Sequence, residues 1–331
     1  MTLDGLRELE PDFWRAPSAH NTQPWVLRYH ESSVEIGWDP ACALPAGDPT
    51  GRDLRLSLGA FAETCLIVCA DAGLAVAFRP DFSEPRRRIG HLVAAVEPHV
   101  TPFSTVDIRR RMSARVPYQP GCVDDEVVAR LDELAGDGEV RRLPCRELIR
   151  PLYEADRHLF GTPSIAREMQ EWLRLTPRHP RYDEDGLTDR ALDLSRWEAV
   201  ALRAVLAPYV YVMLRRVGLP RILAASSRGL LDYDGDVLVL VAPRDCDPPG
   251  QVEMGRALLR QWLLLSGLGY TTHPLSQIID TARTRDGLAR MLGIADADRL
   301  LNVARVGRPT RPATRSARRK ESPHPGQSTT T

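Results

Sequence analysis

The sequence predicts an α+β fold in which short strands alternate with two long apolar helices, and a separate helical stretch interrupts the second half. Three observations predict it. Leu54 to Ala72 and "GQVEMGRALLRQWLLLSGLGY" (250–270) are long, mostly apolar runs closed by glycine, as buried helices are. Short segments such as "WVLRY", "SVEIGW", "DVLVLVAP" and "LLNVARVG" have the composition of strands bounded by turns. The region from about 151 to 230 has helical patterning, broken by the Pro- and Asp-rich "TPRHPRYDEDGLTD".

Taken in chain order, Trp25, Leu27 and Tyr29 fall on one side of an extended segment, and with "SVEIGW" the pattern is a hairpin. "DPTGRD" supplies a turn and the start of the first long helix. "LAVAF" and "HLVAAVEP" follow as strands. The basic segment "IRRRMSARVPY" then leads to a helix over Glu126 to Ala135 that Asp124 is placed to cap. After the helical stretch come a buried strand, the second long helix and a last strand. A strand followed by a long helix ending Gly-Leu thus occurs twice, at 72–74 and 266–268, which points to an internal duplication. The stretch 311–331, with almost no apolar residues, is expected to be disordered.

Composition limits the function classes. The 331 residues, 43% of them hydrophobic, can bury a sizeable core in one large domain. Formal charge is zero, so no global field draws the chain to nucleic acid or an anionic membrane, and neither is expected as a partner. Lys320 is the sole lysine, which removes lysine Schiff-base chemistry and lysine-based phosphate loops from the core. The six cysteines form no CxxC pair, and Cys65 and Cys69 fall within the first long helix as core residues. "DEDG" and "DYDGD" lack the later glutamate of a calcium loop and read as turns; no metal site is expected. The N-terminus has neither the basic start nor the apolar stretch of a secretory signal, and the longest apolar run, Ala204 to Leu214, contains Pro208. The expectation is a cytoplasmic protein.

Two segments have the donors of a binding site. Arg111, Ser113 and Arg115 form an RxSxR pattern that in extended backbone projects to one side. Pro117 and Pro120 favour such backbone just beyond it. Two guanidinium forks and a hydroxyl suit a phosphate monoester, although a solvated basic run has the same composition. The opening loop "RAPSAHNTQPW" holds Ser18, His20, Asn21, Thr22 and Gln23, neutral donors and acceptors suited to hydroxyls and ring amides, or to ordinary turn chemistry.

Together, "APSAHNTQPW", "RMSAR", the helix ending "SGLGY" and the closing "ARVG" resemble the FMN-dependent nitroreductase family. The loop precedes the arginines here, an inverted order similar to the Acg-like branch, in which two nitroreductase-like halves are fused. The resemblance covers roughly 10–135 and 235–310 and leaves the helical stretch unexplained. It implies a central, mainly antiparallel sheet flanked by long core helices. It also implies a single domain over 1–310 made of halves of about 1–100 and 101–310, with a helical insert or lid at about 151–230.

By the same resemblance, FMN is the cofactor, its phosphate held by Arg111, Ser113 and Arg115. Ser18, His20, Asn21 and Gln23 reach its ribityl chain and ring edge. Pro274, Leu275 and Ser276 present a backbone N–H to the reactive ring, although Ser276-Gln277 replaces the usual glutamate-glycine pair. A further phosphate contact falls to Arg315 or Arg318. The lysine common near the flavin pyrimidine edge has no counterpart, leaving that charge to an arginine or missing. No residue is singled out as catalytic. The implied activity is ping-pong hydride transfer from a donor such as NAD(P)H to a small conjugated, nitro or quinone-type substrate, or dehydrogenation of a natural-product intermediate. The alternative is an FMN-sequestering protein without turnover. Fused halves permit a monomer as well as a homodimer.

Overall fold

The computed structural model describes residues 4–319; Lys320 and the rest of the C-terminal tail lie outside the described residues. The helix α1 (Asp4–Phe13) delivers the chain to the opening loop. Strands β1 (Trp25–Tyr29) and β2 (Ser33–Trp38) form the expected hairpin, with Trp25 opposite Trp38 and Leu27 opposite Ile36. The long helix α2 (Arg52–Asp71) returns the chain for a second hairpin, β3 (Val76–Ser83) and β4 (Arg88–Ala94). These four strands make one antiparallel sheet in the order β1-β2-β4-β3. Trp14, Trp25 and Phe61 stack with centroids 4.6–6.3 Å apart, which pins both ends of the opening loop to α2.

After α3 (Thr105–Arg110), capped by Ser104 and Asp107, residues 111–120 run largely without helix, and α4 (Asp125–Leu134) precedes β5 (Glu139–Pro144). Asp124 occupies the N-cap position of α4, but its side chain accepts no capping hydrogen bond. The insert then builds α5 (Ile149–Leu159), α6 (Pro163–Glu171), the two-residue parallel strands β6 (Leu173–Arg174) and β7 (Leu187–Thr188), α7 (Arg196–Leu206), α8 (Pro208–Arg216) and α9 (Leu219–Ser226). The chain closes through β8 (Asp236–Val241), the long α10 (Pro248–Gly267), β9 (Thr271–Pro274), α11 (Gln277–Asp280), α12 (Ala282–Met291) and β10 (Leu300–Gly307).

The second antiparallel sheet has the order β5-β8-β10-β9. Each sheet therefore places its first, second, fourth and third strands side by side, and each runs its long helix between the second and third. The insert occupies the connection between the first and second strands of the second sheet, where the first sheet has only a tight turn at 30–32. The α+β class and long core helices are as expected, but the antiparallel strands divide into two sheets rather than one. All fourteen residues of β8 and β10 are buried, since α10 covers one face of their sheet and α5, α11 and α12 the other.

The two long helices meet directly. An added Cβ on Gly59 would lie 1.9 Å from the Val252 carbonyl oxygen, and one on Gly255 would lie 2.3 Å from that of Leu56. Glycine at both positions lets two helical backbones touch.

Candidate functional site

Where α2 and α10 approach closely, the N-terminal half of α2, Leu258 and Trp262 of α10 and the segments around them enclose one cavity of about 560 Å³. The lining includes the opening loop and Asp53, Leu56, Ser57 and Ala60 of α2. It also includes Arg111, Met112, Ser113 and Arg115, Trp262 of α10 and the β9–α11 junction. The insert supplies an apolar wall that includes Leu159, Phe160, Ile165 and Met169. Extended residues 315–318 of the tail complete the lining.

One end of this cavity is cationic. The RxSxR segment is extended as expected: Ser113 bridges to Thr272, the Ala114 N–H donates to the Thr272 carbonyl at 3.1 Å, and Arg111, Ser113 and Arg115 all face the cavity. The Arg111 guanidinium donates to the Arg15 carbonyl at 3.3 Å and lies 5.8 Å from the Trp262 ring centre. Burial, with Arg315 nearby, pulls its pKa down to about 10. Burial likewise lowers Arg115 to about 10, Tyr118 opposing the shift and Arg305 adding to it.

The tail departs from expectation here. Residues 311–319 are laid across the opening loop, and Arg315 and Arg318 both line the cavity. Arg315 donates to the carbonyls of Arg109 and Arg110. Burial and the charges of Arg111, Arg15 and Arg315 bring Arg318 down to about 9. None of Arg111, Arg115, Arg315 and Arg318 meets a carboxylate among the described residues. Arg111, Arg315 and Arg318 sit close enough to depress one another's ionisation, and such charges without a counter-charge in a partly desolvated space are costly in the free protein, a cost that an anion removes.

The opening loop is neutral and strained. His20, Asn21 and Gln23 have φ of 47°, 55° and 52°, the left-handed region that non-glycine residues seldom adopt. Ser18 holds the turn by accepting from the Gln23 N–H at 2.9 Å. His20 lines the cavity; burial lowers its pKa to about 4, so it is neutral, and its Nδ1 has no partner among the described residues. Asn21 also lines the cavity, yet its amide is engaged by the Gly186 and Ala317 carbonyls and by Arg318.

Two expected site residues stand elsewhere. Gln23 lies behind the wall, donating to the Glu184 carbonyl at 2.8 Å and accepting from the Arg319 N–H at 3.0 Å. Leu275 is wholly buried in the core under the second sheet, and its N–H is spent on the Val303 carbonyl at 2.7 Å. Pro274 has no N–H, so of the three junction residues only Ser276 presents a backbone N–H with no partner among the described residues.

Part of the cavity lining is acidic, which the sequence reading missed. Arg52 donates to Asp53 at 2.8 Å and Asp280 at 2.7 Å, while Asp48 accepts from the Leu54 N–H at 3.0 Å. Burial raises Asp280 to about 7 and Asp48 to about 6, against the pull of Arg52. Asp156, on α5, accepts from Gln277 at 3.2 Å, and its Oδ2 is buried without a partner. "DPTGRD" was legible as a turn, but nothing local announced that its aspartates face a cavity. Among the described residues, no group of three or more His, Cys, Asp or Glu side chains is placed to hold a metal ion.

No family model matches the chain. A Mycobacterium tuberculosis protein provisionally named an NAD(P)H nitroreductase is 26% identical over 305 residues, covering 88% of this chain and 82% of its own. PigM of a Serratia strain, provisionally named likewise, is 26% identical over 299 residues, covering 83% and 80%. This chain is similar to proteins named as NAD(P)H nitroreductases. The FMN-dependent nitroreductase NfnB of Mycobacterium smegmatis, solved with NADPH, superposes with a TM-score of 0.35 at 18% identity, over 62% of this chain and 86% of that one. A BluB-like flavoprotein of Clostridium difficile gives 0.38 at 14%, over 65% and 93%.

The half-satisfied carboxylate of Asp156 has a measurable consequence. Burial raises its pKa to about 6, above the unfolded value near 3.9. The folded state therefore holds the proton more tightly, so the stabilisation is complete below about pH 4 and is lost as pH rises through about 6. Asp156→Asn is expected to make the ligand-free protein on the order of 2 kcal/mol more stable than the parent at pH 8, with little gain at pH 4.5. Urea unfolding at the two pH values measures this. An equal effect at both would mean that Asp156 folds with its charge intact.

Proposed function

We propose that this chain is an FMN-binding, NAD(P)H-dependent oxidoreductase. The observation that carries the reading is that four arginines, Arg111, Arg115, Arg315 and Arg318, line a 560 Å³ cavity without a counter-charge among the described residues, while its other walls are neutral, apolar and acidic. The relatives' names support the reaction class.

Arg111, Arg115, Arg315 and Arg318, with the Ser113 hydroxyl, hold the FMN phosphate through charge-assisted hydrogen bonds. Ser18 and His20 would face the ribityl chain and ring edge, with Asn21, its amide already held by Gly186, Ala317 and Arg318, shaping the wall beside them, and the Ser276 N–H would be available to the ring. Bound FMN supplies two-electron chemistry between a reduced nicotinamide and a small conjugated, nitro or quinone-type acceptor. Leu159, Phe160, Ile165 and Met169 of the insert screen that chemistry from water, which is the role of a lid. The opening loop and α2 belong to one half and the RxSxR segment and β9–α11 junction to the other, so a single chain completes the site, as a monomer or within a homodimer.

The purified full chain is expected to absorb near ~450 nm, to release FMN on denaturation, and to bleach on anaerobic addition of NADH or NADPH. Retained FMN that neither nucleotide reduces would turn the reading to a sequestering protein. A preparation that takes up no FMN when it is added would end both.

A further inference from the structure

The insert has a second face. The helices α7, α8 and α9 pack inward around Leu206, Tyr211 and Leu219. Outward they present Trp197, Tyr209, Met213, Val217 and Ile222, exposed by 79, 89, 72, 75 and 68%. Of twelve exposed large hydrophobic residues in the described chain, eight fall between Trp197 and Ile222, a concentration that scattered surface apolar residues do not produce.

The charge on this face is one-sided. Between Ser195 and Arg228 there are six arginines and one carboxylate, Glu198. That carboxylate is already committed, accepting from the Ser195 N–H at 2.8 Å in the capping box of α7. Arg196, Arg203, Arg216, Arg221 and Arg228 are exposed, and none forms an ion pair among the described residues. A chain whose 44 basic and 44 acidic residues cancel thus carries a local excess of five positive charges on its most apolar surface. The balanced total conceals it.

We infer that the outer face of α7–α9 docks on an anionic phospholipid surface. Apolar side chains enter the boundary of the acyl region, and the arginines take lipid phosphates while their stems lie along the apolar layer. Among the described residues no single helix is long and apolar enough to cross a membrane. α7 and α8 reach that hydropathy only as a pair, and they are bent by 82° at their junction, which fits a bent pair lying along the interface rather than a span through it. A second copy of this chain is a poor occupant, because a twofold contact would set arginines against arginines with no free carboxylate between them.

The test is co-sedimentation of the full chain with phosphatidylcholine vesicles and with phosphatidylglycerol-rich vesicles. Binding is expected only to the anionic vesicles and is expected to weaken as salt rises. Arg203→Glu with Arg216→Glu should reduce that affinity by about 30-fold or more, from roughly 1 kcal/mol per basic residue at the surface. Tyr209→Ser with Met213→Ser should weaken binding at every salt concentration. These exposed substitutions leave the core and cavity untouched, and unchanged thermal melts confirm folding. If a variant melts early, the salt titration of the parent protein decides alone. Equal partition to both vesicle types, binding indifferent to salt or to the arginine pair, or a dimer in light scattering that Tyr209→Ser dissolves would overturn the assignment.

Discussion

Replacing Arg111 by methionine is expected to weaken FMN binding by about two orders of magnitude while leaving the ligand-free protein as stable as the parent, or more so. The two effects have one cause. Arg111 is buried, its pKa is pulled down to about 10, and it meets no carboxylate among the described residues. Its charge is a cost in the free protein, and methionine of similar length removes that cost and keeps the packing on Trp262. With FMN bound, the same charge makes hydrogen bonds to a phosphate in a water-poor space, contributing roughly 2–3 kcal/mol, which corresponds to about 30- to 150-fold in affinity. Fluorescence titration with FMN and thermal melts of the stripped protein separate the two terms. A residue that merely braced the fold would give the opposite pair: a lower melting temperature and unchanged FMN affinity. Arg115→Met should behave similarly, since burial and Arg305 depress it in the same way.

What could be read from the sequence divides along physical lines. The long helices and most strands were legible because burial leaves a periodic or continuous apolar signature within a short window. The RxSxR segment was legible too, since Pro117 and Pro120 restrict the backbone beside it. The role of the opening loop was only half legible. Its neutral polar groups were visible, but Gln23 is satisfied by Glu184 and Arg319, partners 161 and 296 positions away, and no local pattern encodes such pairings. Composition misdirected the reading of the tail. Few apolar residues normally mean that a segment cannot repay its ordering entropy, yet Arg315, Arg318 and Arg319 find carbonyls, amides and the Asp185 carboxylate on the folded body. Asp48, Asp53 and Asp280 were hidden for another reason. In sequence they are indistinguishable from turn and helix-start residues, and only the approach of α2 to the β9–α11 junction brings them together.

That approach depends on Gly59 and Gly255, and alanine at either is expected to destabilise the protein by about 3 kcal/mol, the upper end of the usual cost of overpacking. The added methyl group would meet a backbone carbonyl in each case, at 1.9 Å from Val252 or 2.3 Å from Leu56. A flexible side chain could swing aside, but a helix backbone cannot, so the two helices must separate. Helix propensity alone argues the other way, since alanine is favoured over glycine by up to ~1 kcal/mol within a helix. Gly287, within α12 and with nothing within 4 Å of an added Cβ, isolates that term: Gly287→Ala should be neutral or slightly stabilising. Urea unfolding of the three variants at constant slope measures the contrast. Gly59→Ala should also weaken FMN binding. Leu56, Ser57 and Ala60 line the cavity from α2, and Leu258 and Trp262 line it from α10, so a shift between the helices moves the walls apart. If Gly59→Ala and Gly287→Ala prove equally stable, the helices do not meet backbone to backbone, and the cavity they frame is not held as described.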